Sequence, residues 1–184
     1  MSKESPCIAV CMMDPRTNLC FGCGRTLPEI ARWSRMDSAE RFAIMAQLAA
    51  RMAEAGLEPA PAVQIARGKA GEFALHAKIN GVKAPMVIDT GATSVVLTWE
   101  TAKAIGVPIE MLEYNVDVET AGGHTKAARL TLDRLAVGGL VEKSIPALVV
   151  PRGQMKTNLL GMSFLDRLER WEVRADRLML HGYP

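Results

Sequence analysis

Met86-Val87-Ile88-Asp89-Thr90-Gly91-Ala92-Thr93-Ser94-Val95-Val96-Leu97 is the stretch on which the reading of this chain turns. Apolar, mostly β-branched residues on both sides mark two short buried strands. Between them an acid, a threonine and a glycine form a tight turn that holds the Asp89 carboxylate outward. Asp-Thr-Gly occurs once in 184 residues. Chemistry that needs two carboxylates sharing one proton would therefore need a second copy of the chain.

Composition narrows the classes. With 49% hydrophobic and 23% charged residues, the chain reads as an ordinary soluble globular protein with room for one domain or two small ones. The net charge of +2 comes from 22 basic and 20 acidic residues mixed along the chain, so neither a nucleic-acid-binding block nor an acidic tail stands out. Aromatic residues, at 5%, are too few for a base-stacking surface. Met1 to Cys7 carry no apolar run of signal-peptide length, and runs such as Ala147-Leu148-Val149-Val150 are too short to span a bilayer. The expectation is a cytoplasmic protein with no nucleic-acid or membrane partner, in which cysteines bind metal or do redox chemistry more often than form disulfides.

Two parts are expected. All four cysteines lie within the first 23 residues. A short helix from Leu27 to Met36 follows, with Ile30 and Trp33 on one side. Asp37-Ser38-Ala39-Glu40 then reads as a capping box, and Phe42, Met45, Leu48, Ala49 and Met52 form an apolar stripe that ends at Gly56. Pro59 and Pro61 interrupt any helix, so residues 1–56 read as a Cys-rich helical domain, 57–69 as a linker and 70–184 as a second domain.

The second domain has β texture. Phe73, Leu75, Ala77 and Ile79 alternate with polar residues, and Asn80-Gly81 signals a hairpin into Val82–Ile88. Further strands are expected at 116–120, 127–132, 135–137 and 147–150, with short helices at 98–105 and 163–168 and a terminal hairpin around Ala175-Asp176. Many short strands with few helices point to a mainly β, closed β-barrel. His76 and His181 read as surface strand residues, and His124 as a solvated loop residue.

Three landmarks in order make a resemblance specific. They are Val87 to Thr93, Thr120-Ala121-Gly122-Gly123-His124, and Asn158-Leu159-Leu160-Gly161-Met162 followed by Phe164-Leu165. Residues 70 to 182 resemble the retropepsin-type aspartic peptidases, single-domain homodimers of retroviruses with bacterial relatives. The resemblance implies an acid-protease barrel, Asp89 as catalytic acid on a loop supported by Thr90, Gly91 and Ala92, and a flap carrying Ala121, Gly122 and Gly123. It further implies that Leu160-Gly161 packs beside the catalytic loop. Longer spacing between Asp89 and Gly161 and a more polar flap depart from the viral members and bear on substrate preference.

The residues give each part a reason. Gly91 allows its amide to approach the Asp89 carboxylate, where a Cβ would crowd the loop. The Thr90 hydroxyl can reach the facing loop of a partner. Two apposed acids cannot both ionise, so one activates water while the other donates to the developing oxyanion, with no covalent intermediate and no cofactor. A serine at position 92 could donate a hydroxyl to the acid; Ala92 cannot, which implies a pH optimum nearer neutrality.

Cys7-x3-Cys11-x8-Cys20-x2-Cys23, with Gly22 and Gly24 around the second pair, has the form of a compact four-thiolate metal site, zinc and an iron–sulfur cluster being equally open. Residues 5 to 53 resemble a small bacterial four-cysteine domain of unknown function, the DUF1289 type, which implies no activity. The combined expectation is an obligately homodimeric aspartic endopeptidase acting on protein or peptide, with an N-terminal metal module for regulation or recruitment. The alternatives are a non-catalytic peptide-binding adaptor with that module, and an iron–sulfur redox protein with the barrel as a dimerisation scaffold.

Overall fold

The computed structural model describes residues 4–7, 11–58, 61–120 and 123–183. The chain divides into two compact units, Met1–Ala62 with Gly182–Pro184, and Val63–His181. The division falls inside the stretch read as a linker, and residues 62–66 of that stretch are strand rather than linker.

The first unit begins with a looped segment held by isolated bridges between Met13 and Cys20 and between Leu19 and Thr26. Helix α1 (Leu27–Arg32) starts at a complete Thr26/Glu29 capping box, and one tighter turn over Trp33–Arg35 extends it. Helix α2 (Ser38–Glu54) starts at the Asp37/Glu40 box. It stops where Gly56 takes φ +64 while the Gly56 and Leu57 amides donate to the Ala53 and Met52 carbonyls, a Schellman closure. The Leu57 side chain folds back onto Met52 and Leu19 in a small apolar cluster. Only Leu48 and Met52 of the expected stripe are buried, and Phe42 is 52% exposed. A cluster of three buried residues offers too little surface to cover five turns of helix. Arg51 bridges to Glu29 at 2.8 Å and ties the two helices together.

The second unit is the β-barrel. Strands β1 (Ala62–Ala66), β9 (Arg170–Arg174) and β10 (Arg177–His181) form a three-stranded sheet in the order β1-β10-β9. The larger sheet contains β2 (Ala74–Ile79), β3 (Val82–Ile88), β4 (Val95–Leu97), β5 (Tyr114–Thr120), β6 (Gly123–Val137), β7 (Leu140–Val149) and β8 (Asn158–Leu160). Its order is β2-β3-β8-β4-β7-β6-β5, and a further β2–β6 pairing closes six of these strands into a ring. Helices α3 (Trp99–Ala104) and α4 (Met162–Leu165) are short, as expected. Ile79, Met86, Leu97, Leu132, Ile145 and Leu160 fill the interior.

The barrel also departs from the sequence reading, β7 beginning at Leu140 rather than at 147. Strand β6 runs unbroken through Asp133-Arg134, which interrupt the apolar alternation, because ladder pairing to β7 continues on both sides of them. His181, expected at the surface, is wholly buried. The inward alternation of Leu178 and Leu180 placed it outside, but the end of β10 is covered on both faces. Among the described residues, no helix is long and apolar enough to cross a membrane.

Candidate active site

Asp89 stands at the end of β3, where that strand runs parallel to β8. The last link of the ladder is the Asp89 amide donating to the Leu160 carbonyl at 3.2 Å. Released from the sheet there, the chain turns back on itself. The Gly91 amide donates to Asp89 Oδ1 at 2.9 Å and the Ala92 amide to the Asp89 carbonyl at 3.3 Å. A Cβ on Gly91 would stand 3.2 Å from Asp89 Oδ1, tighter than ordinary contact, so the glycine permits this approach. The Asp89 side chain is half-buried and Thr90 is exposed beside it.

The loop is held from the other side by the Gly161 segment. Met162 and Ser163 amides donate to the Ala92 and Thr93 carbonyls at 2.8 and 3.1 Å. Ser163 Oγ accepts the Val95 amide and donates to the Pro146 carbonyl, both at 2.8 Å. Gly161 is in extended backbone, so it is required by space rather than by φ. Any Cβ there would overlap the Ser94 carbonyl and lie 2.6 Å from that of Ala92. The Asn158 side chain, fully buried, accepts the Thr98 amide at 2.9 Å and donates to the Pro85 carbonyl at 2.7 Å, anchoring β8 next to β3.

Asp89 opens onto a cleft of about 600 Å³. Val96, Leu148, Val150 and Leu159 give it apolar walls, the 154–157 loop forms one side, and Asp117 to Glu119 of β5 another. A second hollow of about 570 Å³ shares Thr93, Ser94, Asp117, Val118 and Leu148 with it, which lengthens the groove. Sequence reasoning identified the acid and its supporting glycines but not this wall. Its residues are ordinary strand and loop residues until the barrel closes. Of the flap residues, Ala121 and Gly122 lie outside the described residues. Gly123 opens β6 at φ +111, a conformation that suits glycine, and pairs with Thr120 across the hairpin.

These features match known proteins. A family model described as Aspartyl protease matches residues 75–164, and one described as a protein of unknown function (DUF1289) matches residues 5–52. The crystal structure of a retropepsin-like aspartic protease from Rickettsia conorii is 34% identical, with a TM-score of 0.62, over 67% of this chain and 92% of that one. The chain belongs to the retropepsin-like aspartic protease family. An uncharacterised protein from Sinorhizobium sp is 38% identical to this retropepsin-like chain over 110 residues, or 60% of this chain and 47% of that protein. An uncharacterised protein of Rickettsia prowazekii is 36% identical over 117 residues, or 64% of this chain and 50% of that protein. The retropepsin-like chain spans about half the length of these two curated relatives.

The cysteines belong to the other unit. Cys20 and Cys23 are buried, Cys7 is half-buried and Cys11 exposed. Burial raises the Cys20 thiol above its ordinary range, and Cys23 beside it adds to the effect. Among the described residues, no group of three or more Cys, His, Asp or Glu side chains is arranged to hold a metal ion. Arg25 lies against the pair at 3% exposure, its Nε donating to Cys23 Sγ at 3.3 Å and its guanidinium 4.4 Å above the Trp33 ring.

Proposed function

We propose that the protein is a homodimeric aspartic endopeptidase in which Asp89 from each of two copies forms the catalytic pair. The observation that carries this is the Asp89 carboxylate, aimed by the Gly91 amide into an apolar-walled cleft from a loop that Gly161 locks in place. One chain supplies one such acid, and the family chemistry needs two. With one proton shared between them, the ionised acid takes a proton from water as that water attacks the peptide carbonyl. The protonated acid donates to the oxygen as negative charge develops on it. The roles reverse as the amine leaves. Among the described residues strand β5 pairs with β6 alone, so its other edge offers main-chain groups to an extended peptide.

The test compares wild type with Asp89→Asn on a peptide library read by mass spectrometry. Cleavage should fall by about a thousandfold or more, within the range for removing an acid–base group. Cleavage that survives the substitution would place the activity elsewhere, and a monomer that cuts at full rate would remove the shared pair.

We propose further that the N-terminal unit takes up zinc or an iron–sulfur cluster, held by Cys20 and Cys23 with Cys7 and Cys11 completing the donor set. In support, Arg25 is a buried cation with no carboxylate in ion-pair distance among the described residues, and anionic sulfur would compensate it. Bound metal would contribute to folding of a unit with so small a core. Elemental analysis and visible absorption of purified protein distinguish zinc from iron–sulfur. Protein free of both metals, or an unchanged far-UV spectrum and thermal transition after chelation, would defeat this reading.

A further inference from the structure

Four charged residues line the catalytic cleft: Asp89, Asp117, Glu119 and Lys156. They are not equivalent. Asp89 is the reacting acid of the proposed peptidase. Asp117 is paired with Lys126 at 3.0 Å. On β5 the exposed Asp117 and Glu119 alternate with half-buried Val116 and Val118, so the two acids share the outer face of the strand. Lys156 is the cation lining the hollow that holds Asp89, Arg129 lining the adjoining one, and Lys156 makes no ion pair within 4.0 Å among the described residues.

The backbone beneath Lys156 is well anchored. Two residues on, the buried Asn158 side chain bridges the Thr98 amide and the Pro85 carbonyl. Two residues before it, the Gln154 amide closes a turn on the Pro151 carbonyl at 3.2 Å. Lys156 therefore lines the cleft from a braced stretch of backbone, in company with apolar Leu159 and Val150, and a bound peptide that displaces water there strengthens any charge pairing.

We propose that Lys156 is a specificity residue that seats an acidic side chain of the substrate. This rests on the peptidase reading for the site, and it adds the chemical class of the peptide. In a two-fold dimer the cleft would carry two Lys156 residues, so acidic residues on both sides of the scissile bond are favoured.

The test separates binding from cutting. Labelled peptides identical except for Glu, Gln or Lys at one scanned position are titrated into full-length Asp89→Asn protein, alone and combined with Lys156→Met or Lys156→Glu. Glu peptides should bind about two- to fivefold tighter than Gln peptides, the range of an accessible ion pair, with the advantage shrinking at high salt. Lys156→Met should equalise the series and Lys156→Glu should invert it toward Lys. Equal affinities in the parent protein, no binding of any peptide, or a Glu preference that persists in Lys156→Met would overturn the proposal. Glu-selective binding that depends on Lys156, in a wild-type protein that cuts nothing, would sustain this role while refuting the peptidase reading.

Discussion

Gly161 lies so close to Ala92 that a Cβ on it would stand 2.6 Å from the Ala92 carbonyl oxygen. That carbonyl in turn accepts the Met162 amide at 2.8 Å, so the Asp89 loop and the segment after β8 are fitted to each other through backbone. Backbone cannot change rotamer to make room. Gly161→Ala should therefore cost about 3 kcal/mol, at the upper end of overpacking effects, and lower Tm by about 10 °C. A Tm within a degree of wild type would show that the two segments separate easily.

Ser163 acts on the same loop through its side chain. Its hydroxyl satisfies the Val95 amide and the Pro146 carbonyl together, and Ser163→Ala leaves both without that partner. A loss of about 1–3 kcal/mol is expected from unpaired polar groups of this kind. Because Val95 begins the strand that leaves the loop, kcat should fall more than KM rises. A change confined to KM would mean the loop keeps its geometry without this link.

Ala92 lines the cleft beside the acid. A hydroxyl at this position can donate to the carboxylate and favour its charged form, so Ala92→Ser should move the pH–rate profile toward acid. An unaltered profile removes position 92 from the control of the pair.

His181 gives a pH dependence independent of catalysis. Burial, with the Arg170 charge next to it, pushes the imidazole below its usual range, and Glu172 and Glu169 only partly oppose this. The Glu172 carboxylate is 3.7 Å from Nε2, and neither ring nitrogen has a hydrogen-bond partner among the described residues. A lowered value means that the unfolded chain binds the proton first as pH falls through about 6.5, so stability is present above that region and is lost toward acid. Thermal unfolding between pH 7 and pH 5 should show Tm falling, and His181→Gln should flatten the slope. Parallel slopes for the two proteins would exclude His181 as the source.

Arg51 and Glu29 hold the two helices of the N-terminal unit together. Burial works against the Glu29 carboxylate, yet Arg51 and the Thr26 amide hold it below its ordinary range. Glu29→Gln weakens this ion pair and part of the α1 cap. A loss of about 1 kcal/mol is expected, read as a lower midpoint for the helical signal. No change would mean that the small apolar cluster alone orders this unit.

The legible parts of this chain were those set by neighbours in sequence. Asn80-Gly81 turned where it was expected because both residues take positive φ there, at 46° and 90°. The Asp37/Glu40 box and Gly56 bounded α2 for equally local reasons. Asp133-Arg134 suggested a break, since local alternation fails there, but the β7 ladder carried β6 through. His181 misled for a related reason. Period-two reasoning assigns one face to solvent, and only the assembled structure shows that both faces are covered.

The sequence alone pointed to Asp89 as the candidate acid, to the turn that presents it and to the likeness to a two-copy acid protease. Each depends on residue chemistry within a few positions along the chain. Tertiary structure decided that Gly161 must be glycine to admit the Ala92 and Ser94 carbonyls, that Asn158 braces the cleft wall, and that Lys156 lines the hollow that holds Asp89. Those relationships arise when the β2–β6 pairing closes the barrel and brings distant segments into contact. Packing between residues far apart in the chain leaves no local pattern to read.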